Sequence, residues 1–151
     1  MTDDDLTRPP ARLRSLVSWQ ANKVNIVGAR LTGARMPASG RADFAVLAAL
    51  EEYGPISQAD LGRRLGLDRN GINGITTRLD DNGHIIRTTD PADRRRNTVI
   101  ITAEGRRYLD ELQAATDSAQ AELTANLSAS ETEQLRKLLA KLLEAHTGLP
   151  G

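Results

Sequence analysis

The sequence predicts a mainly α-helical fold with one small β-hairpin set against it, and three observations lead there. Apolar residues recur at helical spacing through most of the 151 residues. The segment His84 to Thr102 (H-I-I-R-T-T-D-P-A-D-R-R-R-N-T-V-I-I-T) instead reads as two short strands. The β-branched run Ile85, Ile86, Thr88, Thr89 pairs with Thr98, Val99, Ile100, Ile101, and Asp90, Pro91 and Asn97 are the turn formers between them. Two short helices joined by a tight turn come immediately before this hairpin. Helix, turn, helix, hairpin is the order of a winged helix-turn-helix, with the hairpin as its wing.

The first helix of the pair spans residues 57 to 65 (S-Q-A-D-L-G-R-R-L), with an expected capping box of Ser57 and Asp60 and a stop at Gly66. Asp68 is the expected N-cap of the second. Ile72, Ile75 and Leu79 give it an i, i+3, i+7 apolar stripe, and Asn82-Gly83 ends it. Turning that stripe inward leaves Asn70, Asn73, Gly74, Thr77, Arg78 and Asp81 outside, with Arg69 at the helix start. Short polar and cationic groups of this kind read base edges and phosphates. Gly71 and Gly74 each cost about 1 kcal/mol of helix stability relative to alanine. They either let the backbone approach DNA closely or mark a loosely held helix.

The wing tip carries three consecutive arginines, Arg94, Arg95 and Arg96. Arg94 and Arg96 are the candidates for a minor groove or its phosphates, because arginine is favoured in a narrow groove. Arg95 is placed to pair with Asp90 or Asp93 and hold the loop's shape. At the start of the first helix, Ser57 and Gln58 could bind phosphate through a hydroxyl and backbone N–H groups, though capping alone explains Ser57 equally well.

Helices flank this head on both sides. Over residues 9 to 33, Leu13, Leu16, Val17, Val24, Val27 and Leu31 share a helical stripe, and Met36 to Gly40 breaks it. Residues 41 to 53 form the next helix, with Phe44, Leu47 and Leu50 buried. Thr102 caps a long helix running to about Leu127. Ser130 and Glu133 are then read as a second capping box, opening a helix with Leu135, Leu138, Leu139, Leu142 and Leu143. Amphipathic helices at both ends of the chain bury their faces most easily between two copies. A two-fold dimer would present two recognition helices to a pseudo-palindrome with half-sites roughly 34 Å apart.

Composition bounds the function. A content of 39% hydrophobic residues suits one domain, and with 3% aromatics the core must be aliphatic. There is no cysteine, which excludes disulfides, cysteine-based zinc sites and thiol oxidant sensing. His84 and His146 form no metal-ligand spacing. No phosphate-cradling glycine loop or nucleophile elbow is present, so no enzyme and no cofactor is expected. No apolar stretch approaches membrane-spanning length and no signal sequence is read, so the expectation is a cytoplasmic protein without a membrane partner. Net charge is zero, but it is polarised: residues 57 to 97 hold eight arginines against six acids, while residues 98 to 151 hold five bases against eight acids. Binding to DNA should therefore be of ordinary strength and strongly salt-dependent.

Residues 41 to 110 resemble the MarR family of bacterial transcription regulators. The resemblance is carried by R-A-D-F-A-V-L-A-A-L-E-E-Y-G-P-I-S-Q-A-D-L-G-R-R-L-G-L-D-R-N, by N-G-H-I-I-R-T-T-D-P-A-D-R-R-R and by I-T-A-E-G-R-R-Y-L, with Asp90, Asp93 and Arg95 matching the D-x-x-D-x-R wing signature. One departure is Gly74, where relatives often carry a basic or larger polar residue. The resemblance implies a single MarR-like domain over residues 1–151, in which 41–101 bind double-stranded DNA and 9–35 and 103–146 interlock in a homodimer. It also implies a possible small-molecule effector, often aromatic and anionic. Arg14 and Trp19 are the candidate pocket residues, since an aromatic wall beside a guanidinium suits an aryl carboxylate; packing of Trp19 in the dimer contact is the competing expectation. The function expected is that of a repressor of a pseudo-palindromic operator, released by such a ligand. The rival is a winged helix that binds another protein without specific DNA binding.

Overall fold

The computed structural model describes residues 8–93 and 96–146, and its elements follow from local sequence in order. The first amphipathic segment is two helices, α1 (Ala11–Arg14) and α2 (Val17–Gly33), not one. Leu16 is extended (φ −80°, ψ 125°). Polar side chains take up the carbonyls that the break strands: Ser15 Oγ donates to Arg12 O at 3.2 Å and Gln20 Nε2 to Arg14 O at 2.8 Å. A helical wheel drawn over residues 9 to 33 therefore fails at Leu16.

After the Met36–Ser39 break, α3 (Gly40–Tyr53) runs through the centre of the molecule. A two-residue strand, β1 (Ile56–Ser57), leads into α4 (Gln58–Leu65), and α5 (Arg69–Asp81) follows a turn at Gly66. Ser57 Oγ accepts from Asp60 N at 3.1 Å, and Asp68 Oδ1 accepts from Gly71 N at 2.6 Å, so both expected N-caps form. Gly66 (φ 66°) takes the left-handed conformation that lets Leu67 N bond back to Gly62 O and set the tight turn.

The wing strands β2 (Ile85–Thr89) and β3 (Asn97–Ile101) pair antiparallel, Ile85 opposite Ile101 and Thr89 opposite Asn97. β1 adds to the far edge of β3, giving the order β1-β3-β2. Thr102 then caps α6 (Ala103–Leu123), accepting from Gly105 N at 3.0 Å and donating to Gly83 O at 2.7 Å. This helix ends at Leu123, earlier than the expected Leu127, and the Thr124 hydroxyl back-bonds to Gln120 O at 2.9 Å. The last helix, α7 (Ala129–Glu144), also starts earlier than expected. Its capping box is Ser128 with Glu131, not Ser130 with Glu133, because Ser128 is the extended residue (ψ 163°) and Ser130 lies inside the first turn.

The core sits beneath the turn motif. Val46, Leu47 and Leu50 of α3 meet Leu61, Ile72 and Leu79 of α4 and α5, Ile85, Val99 and Ile101 of the sheet, and Leu109 and Leu112 of α6. It is wholly aliphatic, with Phe44 and Tyr108 packed at its border. Each such buried side chain contributes about 1.5–3 kcal/mol. The flanking helices are different. Leu13, Leu16, Val17, Val24 and Ile26 are exposed, and α7 buries none of its residues, leaving Leu135, Leu138, Leu139, Leu142 and Leu143 open.

Candidate nucleic-acid interface

The helix-turn-helix brings separate stretches of sequence into one cleft of about 680 Å³. Ser57 and Gln58 line it from the start of α4, Arg69, Asn70 and Asn73 from α5, and Arg96 from the wing. Six residues expected to contact DNA are thus placed on one concave surface. Asn70, Asn73 and Gly74 are exposed, and nothing lies within 4 Å of where a Gly74 Cβ would stand. A Gly71 Cβ would come within 3.1 Å of Asp68 Oδ1, the oxygen that caps α5. Gly71 therefore has a local reason to lack a side chain and Gly74 has none within the chain.

Ser57 serves the cap. Its hydroxyl accepts from Asp60 N and donates to Asp60 Oδ2 at 2.8 Å, so the capping explanation accounts for both of its bonds. Asp60 in turn faces Arg63, one turn along α4, and Arg96 at 3.8 Å. The Ser57 hydroxyl, then the Arg63 guanidinium, hold the Asp60 carboxyl below the usual carboxylate range. An ionised acid on this surface restrains two of its arginines and moderates its positive potential. Arg63 lines the cleft although it was not among the expected contacts. Its only trace in the sequence is the Asp60/Arg63 spacing, which reads as an ordinary helix-surface pair.

Two residues expected on the outer face of α5 turn elsewhere. Arg78 pairs with Asp43 of α3, a carboxylate that is 3% exposed, so its guanidinium is engaged by the core-bearing helix although the side chain keeps 39% of its surface in solvent. Position 78 flanks the Ile75 edge of the apolar stripe, and the buried acid draws the long side chain inward. Thr77 is half-buried and accepts from Arg87 Nη1 at 3.3 Å, while Arg87 Nε donates to Asp80 at 3.2 Å. Arg87 thus bolts the wing to α5. It is an arginine in the middle of a strand, and its pairing was not legible before the strand was placed beside the helix.

In the wing, Asp90 shapes the loop: its Oδ1 accepts from Ala92 N at 2.9 Å and its N–H donates to Arg96 O at 2.8 Å. Arg96 N donates to Asp93 O at 3.0 Å, closing the loop a second time. Arg94 and Arg95, with the pairing expected of Arg95, lie outside the described residues. The Arg96 side chain is 57% exposed at the edge of the cleft.

The two expected effector residues lie on separate helices. Arg14 ends α1 and donates through Nε to Pro9 O at 2.8 Å, whereas Trp19 belongs to α2, beyond the break. The half-buried Trp19 ring has the Lys23 ammonium 5.4 Å from its centre. A shallower groove of about 530 Å³ between α3 and α6 carries Glu51, Glu52 and Asp110, which do not suit an aryl carboxylate. Among the described residues, no group of acids and histidines could hold a metal, and no helix is long and apolar enough to cross a membrane.

Comparison with known proteins agrees with this geometry. The sequence pattern of the MarR family matches residues 40–96. The HTH-type transcriptional regulator YkoM of Bacillus subtilis is 33% identical over 99 residues, 66% of this chain and 64% of that protein. The chain spans less than two-thirds of the length of the curated relatives it matches. A crystal structure of a probable transcriptional regulator from Pseudomonas aeruginosa is 34% identical, with a TM-score of 0.73 over 87% of this chain and 99% of that one. The structure of Bordetella bronchiseptica BpsR, whose DNA binding is regulated by 6-hydroxynicotinic acid, is 25% identical with a TM-score of 0.74 over 83% of this chain and 97% of that one. With its helical frame, three-stranded sheet and paired turn helices, the chain belongs to the MarR family, a family of transcription regulators and not of enzymes.

Proposed function

We propose that this chain is a sequence-specific, DNA-binding transcription regulator that acts as a homodimer, represses a pseudo-palindromic operator in the cytoplasm, and is released by a small aromatic ligand. The observation that carries the reading is the cleft in which Gln58, Arg69, Asn70 and Asn73 stand together beside Arg96. Short amides on an exposed helix face can reach base edges in the major groove, and flanking arginines can neutralise phosphates. The dimer is supported by the five exposed leucines of α7 and the exposed apolar residues of α1 and α2, together more apolar surface than a lone chain would leave in water. Repression follows from simple occlusion of a promoter, which needs no activating surface. A releasing ligand is supported by the similarity to BpsR and would act by favouring a half-site spacing that does not fit DNA.

The test is a mobility-shift titration against the DNA upstream of the protein's own gene, with a random duplex as competitor and salt as a variable. Competitor-resistant binding by a dimer, falling linearly in log–log form with salt, is expected. Absence of binding to any duplex by an intact dimer would overturn the reading in favour of a protein-binding winged helix.

A further inference from the structure

Asn73 is an exposed amide on α5, and it is tethered. Gln58 Nε2 donates to Asn73 Oδ1 at 3.3 Å, across the turn between the two helices. The other end of the Gln58 carboxamide is also engaged: the Thr76 hydroxyl donates to Gln58 Oε1 at 3.1 Å. Thr76 is fully buried, and its hydroxyl hydrogen is shared with Ile72 O at 2.8 Å and Asn73 O at 3.2 Å, so it cannot swing away. A chain of hydrogen bonds thus runs from an immobile hydroxyl inside the head, through Gln58, to a side chain on the surface that would face DNA.

We infer that Gln58 is a positioning residue that fixes the Asn73 carboxamide with its NH₂ turned toward the groove, so that Asn73 selects hydrogen-bond acceptors on the base edge, guanine O6/N7 or thymine O4 ahead of adenine, whose N7 acceptor lies beside the N6 donor, and rejects cytosine, which offers only a donor. The inference rests on the DNA-binding reading above and refines it. An untethered asparagine can turn either its oxygen or its nitrogen outward, and it pairs well with adenine by using both at once. Holding Oδ1 against Gln58 leaves the two N–H donors of Nδ2 as the outward group. Specificity then depends on a residue that touches no base.

The experiment is selection of binding sites from a randomised duplex library by the full-length protein, repeated with Gln58→Leu and Gln58→Glu after unfolding curves establish that both variants are folded. The wild type is expected to enrich a half-site with one position that favours guanine or thymine and excludes cytosine. Gln58→Leu should lose roughly five- to ten-fold discrimination at that position alone, the scale of one base contact. Gln58→Glu still accepts the Thr76 hydroxyl but cannot donate to Asn73 Oδ1. Its carboxylate accepts from Asn73 Nδ2, turns Oδ1 outward and shifts the preference toward donors, adenine N6 or cytosine N4. A merely structural glutamine would not exchange one base class for another. A wild type that enriches a site while both variants keep its preferences overturns this inference alone. A wild type that enriches nothing overturns the DNA-binding reading, and this inference with it.

Discussion

Arg78 of α5 donates to Asp43 of α3, and this contact ties the second helix of the turn motif to the helix that carries the core. The Asp43 carboxylate also accepts from Tyr108 Oη at 2.9 Å and Ser39 Oγ at 3.1 Å, so three elements converge on one buried acid. Removing Arg78 leaves that carboxylate buried with only hydroxyl donors. Arg78→Ala is expected to cost about 3 kcal/mol in urea unfolding, and Asp43→Asn about 2 kcal/mol, because the half-exposed guanidinium can still reach water. The double variant should cost clearly less than the sum of the singles; strict additivity would mean that the pair is not coupled.

Burial first, then the hydrogen bond to Asp43, push the Tyr108 hydroxyl up to about 12. An unfolded tyrosine titrates near about 10. Between those values the unfolded chain has released a proton that the folded chain keeps, so folding weakens as pH rises. Stability should be intact below about pH 10 and decline toward about pH 12, and Tyr108→Phe should flatten that decline. Thermal unfolding across the alkaline range reads this directly, and an equal decline in Tyr108→Phe would assign it to other groups.

Two glycines should answer alanine in opposite ways. A Cβ at Gly105 would stand 2.0 Å from His84 O, where the start of α6 is pressed against the start of β2, and Gly105→Ala should lose about 3 kcal/mol. Gly74 has open space, so Gly74→Ala should gain about 1 kcal/mol of helix stability. If Gly74 exists to let DNA approach the backbone, the stabilised variant will bind DNA more weakly. Unchanged affinity would leave the glycine as a tolerated weakness in α5.

Leu138 and Leu142 lie one turn apart on α7, each half exposed. Converting both to aspartate should remove several kcal/mol from a helix-mediated dimer, at about 1.5–3 kcal/mol for each leucine desolvated. Sedimentation should then find monomers at concentrations where the parent is dimeric, with operator binding lost in parallel. A dimer that survives the double change would place the interface elsewhere.

Arg96 stands at the cleft edge with its charge shared with Asp60. Arg96→Ala should weaken binding to specific and random duplexes alike and lower the log–log salt slope by about 1. A change confined to one base position would instead make Arg96 a base-reading residue.

Local physics was enough to place most of this architecture. The caps at Ser57, Asp68 and Thr102, the left-handed stop at Gly66 and the β-branched strands all act within a few residues, so sequence alone determined the helix-turn-helix and its hairpin. The aliphatic core and the outer placement of Asn70 and Asn73 also follow from periodicity. What sequence left undecided are the contacts that depend on which elements lie side by side. The break at Leu16 needed a capping partner from Gln20, and the Ser128 box competed with an equally good pattern two residues later. β1 is two residues long and exists only because β3 offers it an edge. Arg78 points inward because Asp43, 35 residues away in the chain, is buried beside it, and Gln58 reaches Asn73 only because the turn at Gly66 folds α4 against α5. Periodicity assigns each side chain a face. Only tertiary packing decides what that face meets, because burying a charge or an amide is tolerable only where another part of the chain supplies its partner.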